Sequence, residues 1–132
     1  MGTEHVEDTI KKETRIEKLP PVLFIHLKRF AFLDGWIEKV DKEVTYPSTL
    51  KISPTWMAAE KMGYGQATSV NYELRSVINH LGTKAHGGHY VCDIMQSSGE
   101  WYHFDDNMVN KTTADIVLSR TTTAYLLMYI RK

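Results

Sequence analysis

The stretch His86-Gly87-Gly88-His89-Tyr90-Val91-Cys92-Asp93-Ile94-Met95-Gln96, then Ser97-Ser98-Gly99, then Glu100-Trp101-Tyr102-His103-Phe104-Asp105-Asp106 leaves a chain few choices. A three-residue connection ending in glycine, set between two such runs, is a favoured hairpin loop: a type I turn whose last residue is left-handed and forms a bulge. If Gln96 opposes Glu100, then His89 opposes Asn107 and shares a face with its diagonal neighbour Asp105. A loop of two or four residues would slip the register by one and bring Asp106 to the histidine instead, because such a slip reverses every side chain. Ser-Ser-Gly fits the bulged turn, which favours Asp105 and leaves Asp106 as an adjacent helper. Gly87 and Gly88 strip side chains from the approach to His89, so another backbone can come close there, or the loop can hinge.

The rest of the chain reads as short pieces of sheet. Leu19-Pro20-Pro21 stops any helix, and Val22 to Phe30 follows as an apolar run that reads as a central strand, with Leu23, Ile25 and Leu27 on one face and His26, Lys28 and Phe30 on the other. Lys28 and Arg29 mark where that strand emerges. Asp34-Gly35 is a hairpin turn leading into Trp36–Val40, and Val44–Pro47 is a further extended piece. Ser53-Pro54, with a capping residue and a first-turn proline, predicts a helix to Met62 closed by Gly63, and a polar loop runs from there to Ser69. Tyr72–His80 alternates as a half-buried strand, Thr112–Leu118 is a second helix, and Thr123–Ile130 is a buried strand. Residues 1–18 are a charged lead-in with a weak strand, and 19–132 carry the fold. The expected class is α+β, an antiparallel sheet with a few short helices.

Composition excludes several functions. With 42% hydrophobic residues and 16 basic against 16 acidic side chains among 132, the chain is one globular unit or part of one, with no basic footprint for nucleic acid. It also has no apolar run of membrane-spanning length. A lone cysteine and the lack of a signal-like segment point to a cytoplasmic or nuclear protein.

A carboxylate beside an imidazole fixes its tautomer, stabilises the imidazolium and raises its basicity, which suits His89 to act as a general base. Cys92 lies three residues further on, so on a strand it faces the other way and cannot be the partner; it reads as a structural thiol. The same pair could be a structural hydrogen bond only, and His80, His86, His89 and His103 could gather a metal, although their spacing is not a familiar zinc pattern. His26 reads as a satisfied core group, and Trp36, Trp56 and Trp101 as packing.

Leu19 to Phe30 with Tyr46-Pro47, Tyr72-Glu73-Leu74, Gly87-Gly88-His89-Tyr90, Trp101 to Asp106 and Thr123 to Tyr129 resemble, in order, the motifs of the C-terminal half of ubiquitin-specific proteases. The resemblance implies a papain-like cysteine peptidase of thumb, palm and fingers architecture, of which this chain is a single partial domain, the palm part. It implies His89 as base, Asp105 as orienting acid and Asp106 as auxiliary. His86, Gly87, Gly88 and Tyr90 would line the path of the ubiquitin tail, with residues 81–88 as the loop that must move to admit it.

The family's nucleophilic cysteine box lies upstream in the thumb and has no counterpart in these residues, and the paired-cysteine zinc ribbon is also missing. The expected partners are therefore ubiquitin or a ubiquitinated protein and a cysteine-bearing N-terminal half. No cofactor, no metal, no nucleic acid and no membrane are expected, and the chain alone should be inactive. The alternatives are an inactive ubiquitin- or partner-binding module and a purely structural domain.

Overall fold

The computed structural model describes residues 8–58, 69–84 and 87–132. Strands β1 (Val22–His26), β2 (Phe30–Leu33), β3 (Trp36–Lys39), β4 (Thr49–Ile52), β5 (Val70–Leu81), β6 (His89–Met95), β7 (Trp101–Asp105) and β8 (Met108–Thr112) precede the one-turn helix α1 (Ala114–Leu118) and strand β9 (Ala124–Arg131). The main sheet runs β1-β9-β5-β6-β7-β8, every pair antiparallel, and β4 pairs with the first half of β5. β2 and β3 form a separate hairpin whose turn residues, Asp34 (φ 50°) and Gly35 (φ 82°), are both left-handed, as the expected tight turn requires. Among the described residues no helix is long and apolar enough to cross a membrane.

One face of the sheet carries the core. Tyr72, Leu74 and Val77 of β5 and Ala124, Leu127 and Tyr129 of β9 are buried with Tyr46, Ile52, Trp101 and Val117 of α1. Val44–Pro47 forms no strand; Tyr46 is held instead by donating to the Val117 carbonyl, and Pro47 by accepting from the Tyr129 hydroxyl at 2.7 Å. Thr113 caps α1, its hydroxyl accepting from the Ile116 amide at 3.4 Å.

Several expectations are corrected. β1 lies at the edge of the sheet, paired with β9 alone, because strand order is set by long-range pairing that its apolar run cannot report. Its outward residues stay open: Phe24 is 59% exposed, and His26 is exposed, stacked edge-on to Tyr125 at 4.7 Å, so it is no core group. Trp36 (75% exposed) and Trp56 (46%) do not pack into a core, whereas Trp101 does.

Ser53 caps as expected, but only a 3₁₀ turn, Pro54–Trp56, follows before Met57 becomes extended and bridges Ile16; residues 59–68, which include the rest of the expected helix and most of its loop, lie outside the described residues. Among the described residues of the lead-in, 8–18, Ile16 makes only that isolated bridge and no full strand forms. Arg29 does not emerge into solvent. It is buried, and its guanidinium donates to the carbonyls of Ala124 (2.9 Å), Thr121 (2.8 Å), Val40 (3.4 Å) and Lys42. A planar fork of five donors lets backbone carbonyls stand in for a counter-charge.

Candidate active site

The hairpin register is the one that Ser97-Ser98-Gly99 implies. The Gln96 amide donates to Glu100 O at 2.8 Å, the Gly99 amide to Gln96 O at 2.9 Å, Gly99 is left-handed (φ 89°), and Met95 opposes Trp101. His89, the first residue of β6, therefore meets Asp105, the last residue of β7, with Nε2 2.5 Å from Oδ1. Both side chains are a little under half exposed, 45% and 42%. The bond settles the neutral tautomer: the proton sits on Nε2 and donates to the carboxylate, leaving Nδ1 as the free lone pair.

Asp106 stands in the two-residue turn to β8, left-handed at φ 53°, a conformation that aspartate tolerates. The hydrogen bond to Asp105 first, then the charges of Asp105 and Asp106, raise the His89 pKa above its usual 6.5. The pair thus contributes to stability fully below pH 6.5, and that contribution fades as pH rises through the higher folded value. Asp105→Asn removes the largest cause, so the His89 pKa is expected to fall toward 6.5, read from the imidazole proton shifts in an NMR titration.

The two glycines serve different ends. Gly87 is left-handed (φ 84°) with open space where a Cβ would lie, whereas a Cβ on Gly88 would sit 2.1 Å from His80 Nε2. The close approach that Gly88 permits is therefore by this chain's own His80 ring. Tyr90, 47% exposed, lies on the other face of β6 from His89, packed on His80 (4.8 Å between ring centroids) and Tyr125 (5.9 Å). His86 lies outside the described residues.

Cys92 faces away from His89 as expected. It is half-buried, 3.3 Å from the Ser76 hydroxyl, and burial pushes its thiol pKa up, the opposite of an activated nucleophile. Among the described residues, His80, His89 and His103 do not gather as a metal set: His80 lies on the opposite face, and His103 donates to Asp93 at 2.7 Å. Among the described residues, the one grouping of His, Cys, Asp or Glu close enough to share an ion is His89, Asp105 and Asp106 itself, with donor atoms within 4.8 Å of one another.

Asp93 was not singled out in the sequence. It is fully buried on the His89 face of β6 and is met by His103 Nδ1 (2.7 Å), Arg120 Nε (2.8 Å) and Asn79 Nδ2 (3.1 Å), so that β5, β6, β7 and the approach to β9 are tied together behind the site. An acid at an inward position of the strand, two alternations beyond His89, is the signal that could have found it.

The family described as Ubiquitin carboxyl-terminal hydrolase matches residues 3–129. Ubiquitin hydrolase B of Dictyostelium discoideum is 34% identical over 129 residues, 97% of this chain and 26% of that protein. Ubiquitin carboxyl-terminal hydrolase 10-A of Xenopus laevis is 39% identical over 132 residues, 95% of this chain and 16% of its own length. Among solved structures, the SAGA Ubp8/Sgf11/Sus1/Sgf73 DUB module bound to ubiquitin aldehyde superposes with a TM-score of 0.76 at 32% identity, over 89% of this chain and 26% of the matched one. The chain thus spans about a quarter or less of the relatives it matches. With its antiparallel sheet and the histidine motif set within it, the chain belongs to the ubiquitin carboxyl-terminal hydrolase family.

Proposed function

We propose that this chain is the base-and-acid part of a cysteine-type deubiquitinase, hydrolysing peptide or isopeptide bonds at the C-terminus of ubiquitin. The observation that carries the reading is the His89–Asp105 pair, Nε2 to Oδ1 2.5 Å, at the open end of the β6–β7 hairpin in a chain of this family. The nucleophilic cysteine comes from a segment or chain outside these residues.

The chemistry follows from the tautomer. His89 Nδ1 accepts the thiol proton, the thiolate attacks the carbonyl carbon of the ubiquitin C-terminal glycine, and Asp105 stabilises the imidazolium that forms. Collapse of the tetrahedral intermediate expels the amine, which takes the proton back from His89. Water, deprotonated by the same nitrogen, then releases the thioester. Asp106 adds negative charge at the imidazolium, Gly87, with open space where a Cβ would lie, leaves room for the ubiquitin tail, and Tyr90 packs beside it.

Cys92 separates this reading from a self-sufficient one. Ubiquitin bearing a C-terminal thiol-reactive group is expected to label the whole protein at a cysteine outside residues 1–132, mapped by peptide mass spectrometry. Cys92→Ser is expected to leave that labelling rate unchanged. Labelling at Cys92 would sink the proposal.

A further inference from the structure

The loop that leads into His89 has a narrow neck. Gly82, just beyond β5, is held at φ 112°, and a Cβ on it would lie 3.4 Å from Gly88 Cα, so the outgoing and returning limbs meet at these two glycines. The returning limb rests on the His80 ring, which lies 2.1 Å from where a Gly88 Cβ would be and is packed edge-on against Phe30 (5.2 Å) and Tyr90 (4.8 Å). The outgoing limb is held from the other side by Lys39, the last residue of β3. Its side chain is only 5% exposed, and its ammonium donates to the carbonyls of His80 at 3.0 Å and Gly82 at 2.7 Å, with Asp41 Oδ1 at 3.7 Å.

A sheltered ammonium is costly unless its donors are used. The two carbonyls that use them, of His80 and Gly82, flank Leu81 on the outgoing limb of the neck. The β2–β3 hairpin shares no strand pairing with the main sheet, so Lys39 also joins the one to the other at this point.

We infer that Lys39 is a positioning residue for His89: by holding the His80 and Gly82 carbonyls it closes the neck, seats Gly88 on the His80 ring and thereby sets where the imidazole meets Asp105. The inference rests on the reading of His89 as the base. Its stake is a geometry that can be measured without substrate.

The test is an NMR titration with amide exchange on the 132-residue chain, comparing the native sequence with Lys39→Met, Lys39→Arg and Lys39→Gln. In Lys39→Met the amides of Gly88 and His89 are expected to exchange about tenfold or more faster, while Val77 and Tyr129 in the core keep their protection. The His89 pKa is expected to fall toward its ordinary value as the Asp105 bond loosens. The sign discriminates, because loss of a nearby positive charge acting directly on the imidazole would raise that pKa. The groups acting on His89 are Asp105 and Asp106, and those acting on His80 include Lys39 and Asp41, so the two titrations are separately assignable. Lys39→Arg, which keeps charge and donors, is expected to restore both readouts.

An unchanged His89 titration in a folded Lys39→Met chain would overturn the inference, and so would equal loss of protection in neck and core. Should Lys39→Met fail to fold, Lys39→Gln decides: a folded chain with altered His89 titration supports it, and unfolding or an unaltered titration overturns it. None of these readouts uses ubiquitin hydrolysis, so their failure leaves the deubiquitinase reading standing, and failure of that reading leaves them intact.

Discussion

In the complete hydrolase, His89→Ala is expected to lower kcat/KM toward a ubiquitin–fluorophore substrate on the order of 10³-fold or more, with the loss in kcat and KM little changed. The asymmetry follows from what the imidazole does. In the proposed mechanism its proton transfers occur as the thiolate forms and as the amine leaves, so it would stabilise transition states and not the bound substrate. Asp105→Asn is expected to cost less, because the imidazole remains and only its orientation and charge stabilisation weaken. A large rise in KM with kcat preserved would show that His89 binds the ubiquitin tail and does not act as a base.

The second large effect concerns stability. Asp93→Ala is expected to destabilise the chain by about 3 kcal/mol, measured by urea denaturation. The carboxylate is fully buried and answers Arg120, His103 and Asn79 together, so its removal leaves a guanidinium and two N–H donors facing the interior with no acceptor. Arg120 keeps a quarter of its side chain in solvent, which places the cost at the lower end of the range for broken buried pairs. Glu100→Ala, which breaks the exposed pair with Lys111 at 2.9 Å, is expected to leave the midpoint almost unmoved. A neutral Asp93→Ala would mean that water enters behind the hairpin and solvates Arg120.

The contrast between these two positions tracks what a sequence can report. His89 and Asp105 were legible because strand alternation and a three-residue glycine turn are local rules, and together they fix the register that the structure shows. β5 and β9 were legible as long apolar runs that alternate in stretches, with Tyr72 and Leu74, then Val77 and Asn79, buried in β5 and Leu127 and Tyr129 in β9, while the bulges that break the alternation were not. β8 was not, since Met108–Thr112 is exposed over almost its whole length and offers no alternation to read. The edge position of β1 was also illegible, because its partner β9 is about a hundred residues away and nothing in Val22–His26 encodes a neighbour's absence.

Buried charge was the main loss. Arg29, Lys39 and Asp93 read as surface residues by type, yet each is held inside by partners from distant segments: the carbonyls of Ala124, of His80 and Gly82, and the Arg120 side chain. Gly88 shows a milder form of the same effect. Its need for a missing side chain was legible, but the His80 ring that fills the space was not.

Whether this chain supplies base and acid to a cysteine held elsewhere is decided by mixing it with a cysteine-bearing N-terminal half of the protein and following fluorophore release from the C-terminus of ubiquitin. That division of the catalytic groups predicts no release by this chain alone, release in the mixture, and loss of that release when the chain carries His89→Ala. Release by this chain alone, or undiminished release in a mixture containing His89→Ala, would contradict it.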